Sequence, residues 1–202
     1  MSNTCFIVGA GEPYGSFKVQ PGDYVIAADG GYNFLQKLNI QPDLFVGDCD
    51  SLDKAPKDIP NVLHNPIKDD TDTLIAINEG FARGYTNFSL YGCCGGRTDH
   101  FIANIQSLCY IAQKGGNAWL YGNNEKFTVV QNTTLVLNND YPNLSVFSLS
   151  DTSYGVCETG TQYTLNNYTM HNRYPIGVSN CITSSQATIS VQNGILLVCL
   201  AK

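Results

Sequence analysis

Residues 87–121, NFSLYGCCGGRTDHFIANIQSLCYIAQKGGNAWLY, decide the fold of this chain. An apolar run at Asn87–Tyr91 stops at Gly92 and reads as a strand. Phe101, Ile102, Ile105, Leu108, Cys109 and Ala112 then recur with a period near 3.6, the spacing that lines up one helix face. This stripe predicts a helix from about Thr98 to Gln113, stopped by Gly115-Gly116. Asn117–Tyr121 is the next strand. Strand, helix and strand in this order make a βα unit whose strands run parallel.

Upstream the alternation repeats. Cys5–Gly9 (CFIVG) is an apolar run before a Gly/Pro loop, and Tyr24–Ala28 (YVIAA) ends at Asp29-Gly30-Gly31. A helical stretch follows at Tyr32–Leu38. Leu44–Gly47 runs into Asp48, and Val62–His64 is a further short strand. Leu74, Ile75, Phe81 and Ala82 share one face of a helix across Thr71–Ala82. Repeated βα units predict an α/β domain over residues 1–125, a mainly parallel sheet with helices on both faces.

Downstream the pattern changes. From Phe127 there is no long helical stripe, only short β-rich runs at 127–130, 134–137, 144–149, 162–165, 187–191 and 195–200. Asn193-Gly194, between the last two, reads as a hairpin turn. Residues 126–202 are therefore expected to form a small antiparallel β-sandwich. At roughly 75 residues it is marginal alone, so it should pack on the first domain or on a second subunit.

Composition narrows the function. The 202 residues are 43% hydrophobic, which suits an ordered globular protein. Eleven basic against 17 acidic residues leave a net charge of −6, so nucleic acid is not the expected partner. No window approaches the roughly 20 apolar residues of a membrane span. The start, MSNTCFIVGAGEPYG, lacks a basic segment and reads as a buried strand, not a signal peptide. Eight scattered cysteines with no CxxC pair read as small buried hydrophobes in a reducing, cytoplasmic setting.

Polar motifs collect after the apolar runs, where parallel α/β proteins bind ligands. They are AADGG (Asp29), VGDCDS (Asp48, Asp50, Ser51), PIKDDTD (Lys68, Asp69, Asp70, Thr71, Asp72) and YGCCGGRTDH (Arg97, Asp99, His100). In an extended GDCDS the carboxylates of Asp48 and Asp50 share a face. They suit a Mg²⁺ ion, which takes carboxylates together with substrate phosphates, or a solvated turn capped onto Leu52. Acidic residues before the Thr71–Ala82 helix suit its positive end, although capping needs neither Lys68 nor a second acidic motif. In GCCGGRTDH, glycines let backbone N–H groups approach a phosphate and Arg97 can fork onto its oxygens. Asp99 is a candidate helix cap, and His100 either a base or a surface residue of the first turn. Carboxylates for a metal beside a Gly-rich helix start with Arg are the parts of phosphoryl-type transfer.

Taken in order, ADGG, PDLFVGDCDSL, KDDTDT, GCCGGRTDHFIAN, Gly160-x-x-Tyr163-x-Leu165 and GVSN resemble the thiamine diphosphokinase (thiamine pyrophosphokinase) family from about Ala28 to Asn180. The resemblance implies a catalytic α/β domain that binds ATP and Mg²⁺, and a β-sandwich that binds thiamine. It implies transfer of the diphosphate of ATP to the hydroxyl of thiamine, releasing AMP, in a homodimer whose active sites are shared between subunits. By motif, Asp48, Asp50 and Asp72 would hold the metal, with Asp69 and Arg97 also catalytic. Asp29, Ser51, Lys68, Thr71, Arg97, Asp99, His100 and Asn104 would lie on the ATP side. Tyr163, Ser179 and Asn180 would lie on the thiamine side. Thr161-Gln162 departs from the Leu-Lys that members often carry, and Tyr168–Tyr174 diverges. The same chemistry on another alcohol, such as a hydroxymethylpterin, a non-catalytic thiamine or nucleotide sensor, and a Mg²⁺-dependent nucleotide hydrolase are the rival readings.

Overall fold

The computed structural model describes residues 3–12, 14–15, 17–47, 58–63 and 70–202. They divide into two compact units, Met1–Asn123 and Asn124–Lys202.

In the first unit the strands are β1 (Thr4–Val8), β2 (Tyr24–Ala28), β3 (Leu44–Gly47), β4 (Asn61–Leu63), β5 (Asn87–Tyr91) and β6 (Asn117–Tyr121). The helices are α1 (Gly31–Lys37), α2 (Asp72–Ala82) and α3 (Thr98–Gln113). Every strand pair in this unit is parallel, and the order is β6-β5-β1-β2-β3-β4. Cys5 to Val8 are all buried, as a central strand covered on both sides requires. On one face Phe6, Val8, Val25, Ala27 and Phe45 pack on Leu35 of α1. On the other, α2 comes so close that a methyl on Gly80 would lie 2.6 Å from the Phe88 ring and 3.0 Å from Cys5 Sγ. α3 joins α2 there, with Tyr110 Oη donating to Asn78 Oδ1 at 2.6 Å. Helices thus cover both faces, as the repeated βα units predict.

The second unit has no helix among its elements. Its strands are β7 (Glu125–Gln131), β8 (Thr134–Asn138), β9 (Asn143–Ser148), β10 (Thr152–Thr159), β11 (Leu165–His171), β12 (Asn180–Cys181), β13 (Gln186–Ser190) and β14 (Ile195–Ala201). They form two antiparallel arrays, β12-β9-β14-β7 and β11-β10-β13-β8. The expected hairpin at Asn193-Gly194 is absent. β13 pairs with β10 and β8, whereas β14 pairs with β7 and β9, so this link crosses from one array to the other. A tight hairpin of type I′ needs positive φ at both central residues. Here only Gly194 has it, at +135°, and Asn193 instead bridges to Tyr154. β10 had no counterpart in the sequence pattern, and β11 runs over Leu165–His171 where 162–165 was expected.

Candidate active site

The strand order reverses at β1. From β1 the chain goes to β2 on one side and later returns to β5 on the other, so the loops after β1 and β5 part and leave a crevice. Glycines bring the two loops together at its floor. Gly9 N donates to Tyr91 O and Gly11 N to Gly92 O, both at 2.8 Å. A methyl on Gly9 or Gly11 would lie 2.7 Å from Gly92 O. Gly92 has φ +61°, and a methyl on it would lie 2.5 Å from Gly9 O. The resulting cavity of about 240 Å³ is lined by Gly9, Ala10, Gly11, Thr73, Gly92, Cys93, Gly95, Gly96, Arg97, His100 and Asn104. Backbone N–H groups in glycine turns beside a helix start suit an anion such as phosphate.

Arg97 is the N-cap of α3, which has no side-chain cap. Its guanidinium forks onto Asp99, Nε to Oδ1 at 3.1 Å and Nη2 to Oδ2 at 2.6 Å. Asp99 Oδ1 also accepts from His100 N at 3.0 Å. The guanidinium holds the Asp99 carboxyl at about 2, below the usual range, and Asp99 raises Arg97 in turn. The pair is solvent-exposed, so water screens it and a phosphate can compete for Arg97. Asn104 is buried and donates its Nδ2 to Cys93 O at 2.7 Å, anchoring the glycine turn from α3. Burial pushes the Cys93 thiol up to about 12 and leaves it inert at neutral pH. Cys93 Sγ donates to Tyr91 O and Cys94 Sγ to Tyr121 O, which are packing roles.

Of the residues expected here, the structure brings Arg97, His100 and Asn104 to the cleft. Thr71 is the N-cap of α2, its Oγ1 accepting from Leu74 N at 3.2 Å, and Asp72 opens that helix just before Thr73. Asp29 follows β2 with φ +49°, donating its N–H to Val46 O at 2.8 Å. Asp48, Asp50, Ser51, Lys68 and Asp69 lie outside the described residues. Among the described residues no cluster of three His, Cys, Asp or Glu forms a metal site. Sequence reasoning missed Gly9, Ala10, Gly11 and Thr73. The signal was Gly9-Ala10-Gly11 at the carboxyl end of the first apolar run.

The second unit holds a separate constellation. Tyr163, between β10 and β11, is 63% exposed. Asn180, at the start of β12, is buried and has all four hydrogen-bond valences filled. Its Oδ1 accepts from Tyr163 N at 3.0 Å and Cys181 N at 2.9 Å. Its Nδ2 donates to Tyr163 O at 2.7 Å and Glu158 Oε2 at 2.9 Å. Thr161 Oγ1 gives Tyr163 O a second donor at 3.0 Å. Ser179 has φ +61° and is tied through its N–H to Ser145 Oγ at 3.2 Å. Tyr163 is thus tied by hydrogen bonds to Asn180, the residue that follows Ser179 in the chain. The Asn180 amide, expected on the thiamine side, is engaged with Tyr163, Cys181 and Glu158.

A glycine-lined cleft at the switch point of a parallel sheet, followed in sequence by an antiparallel sandwich unit, defines a two-unit class whose α/β part is suited to an anion. Residues 19–120 match the family model for the thiamin pyrophosphokinase catalytic domain, and residues 132–196 that for the thiamin pyrophosphokinase vitamin B1 binding domain. The chain is 26% identical over 180 residues to thiamine pyrophosphokinase of Bacillus subtilis (strain 168), covering 85% of this chain and 84% of that protein. The crystal structure of thiamine pyrophosphokinase from Bacillus subtilis superposes with a TM-score of 0.89 at 23% identity, over 98% of this chain and 99% of the other. That of thiamin pyrophosphokinase from Geobacillus thermodenitrificans gives 0.89 at 25% identity, over 98% and 97%. The chain belongs to the thiamin pyrophosphokinase family.

Proposed function

We propose that this chain transfers the diphosphate of ATP to the hydroxyl of thiamine, giving thiamine diphosphate and AMP. The observation that carries the reading is the glycine cleft with Arg97, set within the stretch that matches the family's catalytic domain. The alcohol oxygen attacks Pβ, the bond from Pβ to the oxygen bridging it to Pα breaks, and AMP leaves with that oxygen. Backbone N–H groups of the cleft and the Arg97 fork, exchanged from Asp99, offset the phosphate charge. Asp72, at the start of α2, orients the hydroxyl or takes its proton. Asp29, Ser51, Lys68, Thr71, Asp99, His100 and Asn104 complete the ATP side, and Asp69 the acidic motif. Asp48, Asp50 and Asp72 offer hard carboxylate oxygens, the donor set that fits Mg²⁺. Bound there, the ion would neutralise charge on the phosphates. Tyr163 would stack on thiamine, and Ser179 and Asn180 would lie against it, Asn180 also holding Tyr163.

A homodimer with sites shared between subunits fits the exposed apolar side chains beside the second constellation. Tyr163, Tyr174, Ile176 and Val178 are all at least 43% exposed, and a second copy would cover them. Cytoplasmic residence fits the seven described cysteines, all of them free. Among the described residues no helix is long and apolar enough to cross a membrane.

The deciding experiment measures AMP release with and without thiamine, and with and without Mg²⁺. Release that needs both supports the reading. Release without thiamine makes the protein a nucleotide hydrolase, and release driven by a hydroxymethylpterin in place of thiamine changes the substrate.

A further inference from the structure

Glu158 lies inside the second unit, and nothing in the proposed chemistry uses it. The local sequence explains how a carboxylate came to be there. Side chains alternate along a strand, so from buried Ser153 the fifth residue onward should point outward. A bulge between Ser153 and Val156 shifts the register by one. Gly155 occupies it at φ +65°, where a methyl would lie 2.4 Å from Gln192 Cδ. A shift of one residue flips every later side chain, so Val156 and Glu158 both point inward, at 0% and 2% exposure.

The buried carboxyl has one tie and one unmet oxygen. Oε2 accepts from Asn180 Nδ2, and Oε1 has no hydrogen-bond partner. Burial lifts its pKa above the ordinary glutamate value, and the Asn180 hydrogen bond opposes that. Such a group opposes folding, and an apolar side chain would fill the space without that cost. What it supplies is the fourth hydrogen bond of the Asn180 carboxamide, which reinforces its direction. A carboxamide can sit in its pocket either way round, with nitrogen and oxygen exchanged. Only one way lets Asn180 accept from Tyr163 N and Cys181 N while donating to Tyr163 O. Glu158 Oε2, beside Tyr163 O on the Nδ2 side, is a second acceptor that weighs against the other.

We infer that Glu158 is a positioning residue for the thiamine side of the site, fixing the Asn180 carboxamide and through it Tyr163 and the Cys181 amide. The inference rests on the proposed function only for what Tyr163 touches.

Two variants of the full chain test it. Glu158→Gln can turn its carbonyl to Asn180 Nδ2, whereas Glu158→Met has similar length and no such acceptor. In Glu158→Met, the Tyr163 and Cys181 amides should exchange with solvent about tenfold faster or more, with β7 and β14 unchanged. The thiamine KM should rise about tenfold while the ATP KM stays within about twofold. Glu158→Gln should restore both readouts. Unchanged exchange in Glu158→Met, or Glu158→Gln behaving like Glu158→Met, overturns the inference. Tyr163→Ala separates the two layers. If it raises the thiamine KM and Glu158→Met does not, the positioning role is wrong. If neither does while exchange quickens as expected, positioning stands and the thiamine assignment of Tyr163 fails. Should Glu158→Met not fold, Glu158→Gln decides alone, since loss of exchange protection or of thiamine KM in it contradicts the role.

Discussion

Gly92 is the residue on which the cleft closes, because the loops after β1 and β5 touch there backbone to backbone. Gly92→Ala would need a left-handed φ and would set a methyl 2.5 Å from Gly9 O. Denaturant unfolding should show a loss of about 1–3 kcal/mol, together with a raised ATP KM. Cys93 and Cys94 flank the same turn without reacting, so changing both to Ala should leave most of the turnover. A dead but folded double variant would give the thiols a chemical role. The thiols of Cys5, Cys93 and Cys199 are each raised to about 12 by burial, above the ordinary thiol range. Their folded pKa values exceed the unfolded ones, so the stability they contribute is complete below about pH 9 and is lost as pH rises toward 12. Unfolding midpoints measured from pH 8 upward should therefore fall, and fall less in the Cys93→Ala protein. Residue type and the motif around them made Arg97 and His100 legible in the sequence as candidates, and both line the cleft. The duties of Asn104 and Asn180 were not legible, because an amide reveals its role only through partners far away in the chain.

At the scale of elements, α2 begins on a side-chain cap. Thr71 accepts from Leu74 N at the exposed start of that helix. Thr71→Ala should cost about 1 kcal/mol in thermal or denaturant unfolding, and Thr71→Ser should recover most of it. A cost indistinguishable from zero would remove the cap. α2 and α3 were readable as helices from their apolar periodicity, but the faces they bury differ from the expected stripes. α2 buries Ala76, Ile77 and Gly80, and α3 buries Asn104, Ser107, Leu108 and Ile111, while Ile102 of the expected stripe is 56% exposed. β10 was not readable. Ser153 and Glu158 are its buried polar positions, and the Gly155 bulge breaks the alternation on which strand reading depends. The Asn193-Gly194 link misled for a related reason. Turn chemistry marks where a chain bends and says nothing about which sheet it enters next.

For the whole molecule, the proposed assembly makes a quantitative forecast. Asp72→Asn damages the catalytic motif, and the pair Tyr163→Ala/Ser179→Ala damages the thiamine side. If each site draws these parts from different chains, dissociating the two dead proteins together and reassociating them in equal amounts should return about a quarter of wild-type activity. Half of the dimers are then mixed, and each has one intact site of two. No recovery, with mixed dimers demonstrated, would place both parts in one chain. The pairing of the second unit also bears on how the protein is made. β14 sits between β7 and β9, and β13 between β10 and β8, so each array takes a central strand from the unit's distal segment. During synthesis the outer strands emerge before the strands they must flank. The first unit can close on the ribosome while the second waits. A nascent chain ending near Ser190 therefore carries β7 and β9 with open edges, a surface that chaperones must shield until Ile195–Ala201 arrives.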